Sequence, residues 1–311
     1  MDRRRFISRL GGIAVAPSIA RAATASAGDR AAVAASLPAI SLGPHRISRL
    51  VVGSNPLLGY SYMGPHSDRL MKEYFTVERA VEFLLACERA GINAHQFSYS
   101  SGRNTTGEIL RKVRDRGSQM KFFCLASKRE DIQAAIATAQ PIAVVHHGGV
   151  TDRRFAEGRS SDVHDFVKAV HDQGLLAGVS AHNPDCIRKI ADEGWEVDFF
   201  MTCFYFLTRK MFHKSGQPAA EPEMLYIAYP FYRHDPEIMT AVVREVDKPC
   251  LGFKILAAGR RCSSQAMVRE AFRFAFANIK PTDGVIVGMF PRFFDEITAN
   301  AQYTRQFGRP A

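Results

Sequence analysis

Side chains that do chemistry recur in this chain at the ends of short apolar runs. Asn55 follows the first run, His95 and Gln96 lie in the second, Lys128 follows the third, and His146 and His147 close the fourth. His182 and Asn183 follow the fifth, Cys203 and Tyr205 the sixth, Lys254 closes the seventh, and Arg292 follows the eighth. An imidazole titrates near neutrality and serves as acid or base, an ammonium or guanidinium stabilises a developing oxyanion, and amides and hydroxyls orient a polar ligand. One polar residue at such a position is ordinarily structural; its recurrence along the chain points to a shared site for a small molecule. His146 and His147 are adjacent in an extended run, so they point to opposite faces and only one of them faces that site. No H-x-H or H-E-x-x-H spacing occurs and the six cysteines form no C-x-x-C pair, so neither a metal centre nor a disulfide framework is assigned.

The elements that would position these residues are eight apolar, β-branched runs at 49–53, 93–97, 122–126, 142–146, 176–180, 198–203, 250–254 and 284–288. Between them lie segments with helical spacing. Val77, Ala80, Val81, Leu84 and Leu85 share one face after a capping Thr76, Gly91 stops that helix, and Pro184 follows Asn183 as a first-turn proline follows a cap. Strand and helix in alternation is the pattern of a parallel sheet with crossover helices. Eight such pairs over about 260 residues predict an α/β fold of the (β/α)8 TIM-barrel type, with a doubly wound sheet as the lesser alternative. In this barrel the chemistry sits where the strands end, which is where the reactive residues fall.

Ahead of the barrel domain, 46–311, the sequence divides into an expected signal peptide at 1–25 and a flexible Ala/Ser-rich leader at 26–45. The first part has a basic start through Arg9 and a weakly apolar stretch from Leu10 to Ala20. Small residues then offer cleavage at Ala20-Arg21-Ala22 or Ala23-Thr24-Ala25. Arg3-Arg4-Arg5-Phe6-Ile7 resembles the twin-arginine export consensus, which makes the export machinery the expected partner and the periplasm or exterior the expected location. The apolar stretch is too short to span a bilayer, so no stable membrane anchor is expected; a basic helix docked on the domain is the competing reading. The net charge of +10 loses four charges with residues 1–25, and the rest is scattered without a basic stripe, so nucleic acid is not an expected partner.

Several segments resemble the aldo-keto reductase family. Arg49-Leu50-Val51-Val52-Gly53 with Asn55-Pro56-Leu57 is similar to its opening strand, and Ala90-Gly91-Ile92-Asn93 to its approach to the second. Ser127-Lys128, Val145-His146 and Gly178-Val179-Ser180 fall where the family has Thr-Lys, Leu-His and Gly-Val-Ser, and Ile286-Val287-Gly288-Met289 resembles its last strand. The resemblance runs over residues 46–305 and implies NADPH as cofactor, with a tyrosine acid, a lysine, an aspartate and a histidine as the reducing machinery. Lys128 and His146 occupy two of these slots. The Asp slot holds Gln96 and the Tyr slot holds Ser101, with Tyr99 two residues earlier as a substitute acid.

Two enzymatic readings follow. In the first, an exported carbonyl reductase acts on a small carbonyl or sugar-like compound. Lys128, His146, Gln96 and Tyr99 are then catalytic, Ser180, Asn183, Lys254 and Arg292 hold the cofactor, and Asn55, His147, His182 and Tyr205 contact substrate. In the second, the barrel performs proton transfer without hydride, as a lyase, epimerase or hydratase, with the histidines and Lys128 as bases and oxyanion stabilisers. A non-catalytic binding module is the third reading. The aromatic-rich segment 205–235 is expected to cover the site, or else to pack as an ordinary loop.

Overall fold

In the computed structural model, residues 36–99, 104–212 and 229–309 are described. Residues 1–35, and with them the expected export signal, lie outside this set, as do Ser101 and residues 213–228 of the aromatic-rich segment. Residues 35–311 form one compact unit.

Two strands, β1 (Ala39–Leu42) and β2 (His45–Ser48), make an antiparallel hairpin. Its two-residue turn is Gly43-Pro44, with Gly43 at φ +52, a conformation that favours glycine. The expected leader at 26–45 therefore ends earlier: residues from Ala39 onward are already paired. The signal was present, since Ile40, Leu42 and Ile47 alternate across a Gly-Pro turn.

The barrel strands are β3 (Leu50–Gly53), β4 (Ala94–Ser98), β5 (Lys121–Ala126), β6 (Ala143–His146), β7 (Leu176–Ala181), β8 (Phe199–Cys203), β9 (Cys250–Phe253) and β10 (Gly284–Gly288). All pair in parallel, and β10 returns to pair with β3, closing the ring. Each matches its sequence-predicted run to within one residue at either end. The helices are α1 (Pro65–Tyr74), α2 (Val77–Arg89), α3 (Asn104–Asp115), α4 (Asp131–Ala139), α5 (Gly148–Ala156), α6 (Ser160–His171), α7 (Pro184–Asp192), α8 (Asp235–Glu245), α9 (Gln265–Asn278) and α10 (Glu296–Phe307). One follows every strand, with α1 and α5 inserted ahead of the crossover helices α2 and α6. Thr76 accepts from the Arg79 N–H and Asn183 from the Asp185 N–H, which are the two caps expected from the sequence.

Strand alternation sorts the side chains into two cores. Outward residues such as Val52, Phe97, Phe122 and Phe200 pack beneath the helices. Inward residues Val51, Phe123, Val145, Phe199, Met201, Leu251 and Ile286 fill the barrel with Ile40, Leu42 and Ile47 of the hairpin. Because β2 ends two residues before β3 begins, the hairpin plugs the end where the strands start. The opposite end is left for the site.

Candidate active site at the barrel mouth

The strand periodicity separates the two adjacent histidines. His146 is the last residue of β6 and faces outward, with Nδ1 hydrogen-bonded to the Thr151 hydroxyl at 2.7 Å and its ring 4.9 Å from that of Phe166. Burial, with the charges of His147 and Arg154, lowers its pKa to about 3. His147, one residue on, turns to the mouth and opens α5. Burial, with His182 and Lys254 nearby, lowers its pKa to about 4, and its buried Nδ1 has no hydrogen-bond partner among the described residues.

His182 follows β7 and is held by Asp152 of α5, a fully buried residue. The carboxylate accepts from the His182 backbone N–H at 3.1 Å, from its Nδ1 at 2.8 Å, from the Asn183 N–H at 3.2 Å and from the Thr208 hydroxyl at 2.8 Å. A carboxylate only accepts, so Nδ1 carries the proton and Nε2 of the neutral ring is a free base. Burial lowers the pKa of His182 and outweighs the pull of Asp152. A side chain at Gly148 would come within 2.8 Å of Ser180 Oγ and 3.2 Å of the His182 ring, so glycine there lets α5 approach closely.

Lys254 follows β9 in the left-handed region at φ 59. Its ammonium lies 4.7 Å from the Tyr62 ring centre and 4.8 Å from that of Phe253, and it forms no ion pair among the described residues. Burial works against its charge, but Tyr62 and Cys203 together raise its pKa above the ordinary lysine value. The Phe253 ring meets His182 edge-on, with centres 5.6 Å apart. Imidazole base and ammonium thus share one mouth. From there a cavity of about 270 Å³ runs outward between the loop after β3 and the loop after β9, reaching Phe290 and Glu296.

Of the residues singled out from sequence, Asn55, Gln96 and Lys254 line this cavity, and His147, His182 and Ser180 lie beside it around α5. The others are elsewhere. Lys128 is exposed in the turn into α4, His146 is behind the barrel wall, and Tyr99 packs on the outer core. Tyr205 is 4% exposed and packs on Phe231. Arg292 is exposed, stacked over Tyr74 and Phe293. His95 is buried on the outer face, with Nδ1 against the Val52 carbonyl at 3.0 Å. The aromatic segment contributes packing at its start, since Phe204 and Tyr205 are core residues. Asp152, Tyr62 and Ser54 were missed from sequence; none has a local signature, because their roles arise from contacts across the fold.

The residues present do not fit the nicotinamide cofactor that the sequence resemblance implies. The Asn183 side chain caps α7, Arg292 stands outside the cavity lining, and Ser180 is buried beside Gly148. Lys254 is the one cation among the described lining residues, while Glu296 puts a carboxylate at the outer end. That is a poor setting for the phosphates of a dinucleotide.

The molecule is therefore a (β/α)8 barrel with an acid–base cluster at the C-terminal ends of its strands. No family model matches the chain, and no curated protein matches it in sequence. Among solved structures it is similar to a glycerol dehydrogenase from Gluconobacter oxydans, with TM-score 0.54 and 10% identity over 88% of this chain and 97% of that one. It is also similar to an aldo-keto reductase from Bacillus halodurans in its holo form, with TM-score 0.53 and 12% identity over 86% and 90%. At these identities the likeness is one of fold.

Proposed function

We propose that this chain is an acid–base enzyme of the lyase or isomerase type, acting on a carbon next to a carbonyl of a small oxygenated compound. The observation that carries this reading is His182, oriented by buried Asp152 and resting on the same Phe253 ring as the Lys254 ammonium. In the reaction, Nε2 of His182 takes the proton from the C–H bond, and its electron pair moves into the carbonyl to give an enolate. The Lys254 ammonium stabilises the new oxyanion. Return of the proton completes an isomerisation, and loss of a β-substituent completes an elimination. Lowered pKa values keep His182 and His147 neutral at pH 7, so the base is ready without prior deprotonation. The test is proton NMR in D2O with a panel of keto sugars and hydroxy acids. Loss of an α-proton signal with the wild type but not with His182→Gln supports the reading; exchange that His182→Gln leaves intact refutes it.

A carbonyl reductase is the second reading, favoured by Tyr62 beside Lys254, since a phenol next to an ammonium is a suitable acid for a carbonyl oxygen. Titration with NADPH, followed by cofactor fluorescence, separates the two: saturable binding favours the reductase. Export by the twin-arginine route to the periplasm is part of the proposal and rests on residues 3–7. Replacing Arg3, Arg4 and Arg5 by lysine and fractionating the host cells tests it, with retention in the cytoplasm as the expected result.

A further inference from the structure

The cavity beyond Lys254 has a composition that the proton-transfer step does not use. Its walls include the rings of Tyr60, Tyr62, Phe253 and Phe290, and between them stand Ser54, Asn55 and Gln96. Ser54 is only 3% exposed, and its hydroxyl has no partner among the described residues. Among the described residues no hydrogen bond engages the Asn55 or Gln96 side-chain amides. At the outer end Glu296 accepts from the Phe290 N–H at 2.8 Å, which leaves its second oxygen available.

Each class of ligand meets this lining differently. A purely apolar molecule would seal off Ser54, Asn55 and Gln96 without partners, and an unsatisfied buried polar group is costly. A polyanion would find one cation and a facing carboxylate. A polyhydroxylated ring suits it, because the C–H faces of such a ring lie on aromatic walls while its hydroxyls exchange hydrogen bonds with amides, a hydroxyl and a carboxylate. The cavity of about 270 Å³ has room for one such ring. Phe253 belongs both to the cavity wall and to the His182 contact, so a ring seated there presents its inner edge to the base.

We infer that this cavity is a monosaccharide site and that the substrate is a neutral pyranose-type keto sugar, whose ring carbonyl takes the electron pair from the C–H bond that His182 attacks, with Gln96, Ser54 and Asn55 reading its hydroxyls. This deepens the acid–base reading and rests on it for the reacting end alone. The test is saturation-transfer difference NMR with methyl β-D-glucopyranoside as probe, run beside the D2O exchange assay. Saturation of the ring C–H protons is expected, with affinity reduced about tenfold by Gln96→Ala and also reduced by Tyr60→Ala at a half-exposed position that folding tolerates. His182→Gln, which stops exchange, is expected to bind the glycoside as the wild type does. Absence of saturation, or saturation that neither Gln96→Ala nor Tyr60→Ala alters, overturns the inference. Exchange on hydroxy acids without glycoside binding also overturns it while leaving the acid–base reading standing; glycoside binding without any exchange does the reverse.

Discussion

The two ends of the barrel are built on opposite terms. At the end where the strands start, the buried charges of Arg49 and Asp283 are answered by hydrogen bonds. The Arg49 guanidinium donates to the carbonyls of Asp283, Gly308 and Lys280, and Asp283 accepts from the Cys250 and Lys280 N–H groups. The hairpin completes that end with Ile40, Leu42 and Ile47. At the mouth, Ser54 and His147 have buried atoms without partners among the described residues, and Tyr62, Lys254, Ala257 and Ala258 all adopt positive φ without being glycine. Four of the five non-glycine residues with positive φ among the described residues lie at the mouth, the fifth being Gln140 ahead of β6, and this concentration of strain marks the mouth as the working end.

The sharpest way to break this contrast is His182→Gln. Proton exchange is expected to fall about 10³-fold, with the melting temperature nearly unchanged; an equal loss of stability would place His182 among the structural residues. Leu42→Ala in the plug is expected to do the opposite. Urea unfolding should show a loss of about 3 kcal/mol from the cavity it leaves, while exchange per folded molecule stays the same.

Lys254→Met separates function from stability within one residue. Exchange is expected to fall about 10²-fold through the lost oxyanion partner. Stability should change little, because the lost contacts with the Tyr62 and Phe253 rings are offset by no longer burying a charge. Arg49→Met is expected to cost about 2 kcal/mol in urea unfolding by leaving buried carbonyls unsatisfied, with no change in exchange.

The pH profile sharpens the same contrast. His95 and His147 have folded pKa values of about 4 and His146 of about 3, all below the ordinary 6.5. The unfolded chain therefore binds more protons below pH 6.5, and stability should be level above that pH and decline as pH falls towards 4. Melting curves across this range check it; a flat profile would mean that these rings are not buried. The acid limb of exchange should likewise lie below 6.5, since the pKa of His182 is lowered.

Much of the fold could be read directly. The eight runs at 49–53 through 284–288, the caps at Thr76 and Asn183, and the order of strand and helix follow from local periodicity and backbone chemistry, and local forces suffice to set them. The alternation of strand residues also implied that His146 and His147 would part. It could not say which of them faces inward, because that depends on the phase of β6 within the closed ring. Lys128 shows the same limit one residue past a strand: the chain turns into α4, and the side chain leaves the mouth.

The site itself was decided in three dimensions. Asp152 lies 30 residues from His182 in sequence, and they meet because α5 is inserted ahead of the crossover helix and glycine at 148 lets it come close. Tyr62 and Lys254 meet because β10 closes beside β3, bringing the loops after β3 and β9 to the same side of the mouth. Sequence by itself determined a barrel with reactive residues at its strand ends; the closure of the ring and the seating of one extra helix determined which of those residues work together. Local preferences act over a few residues, whereas pairing an acid with a base across the chain requires the whole sheet to be in register.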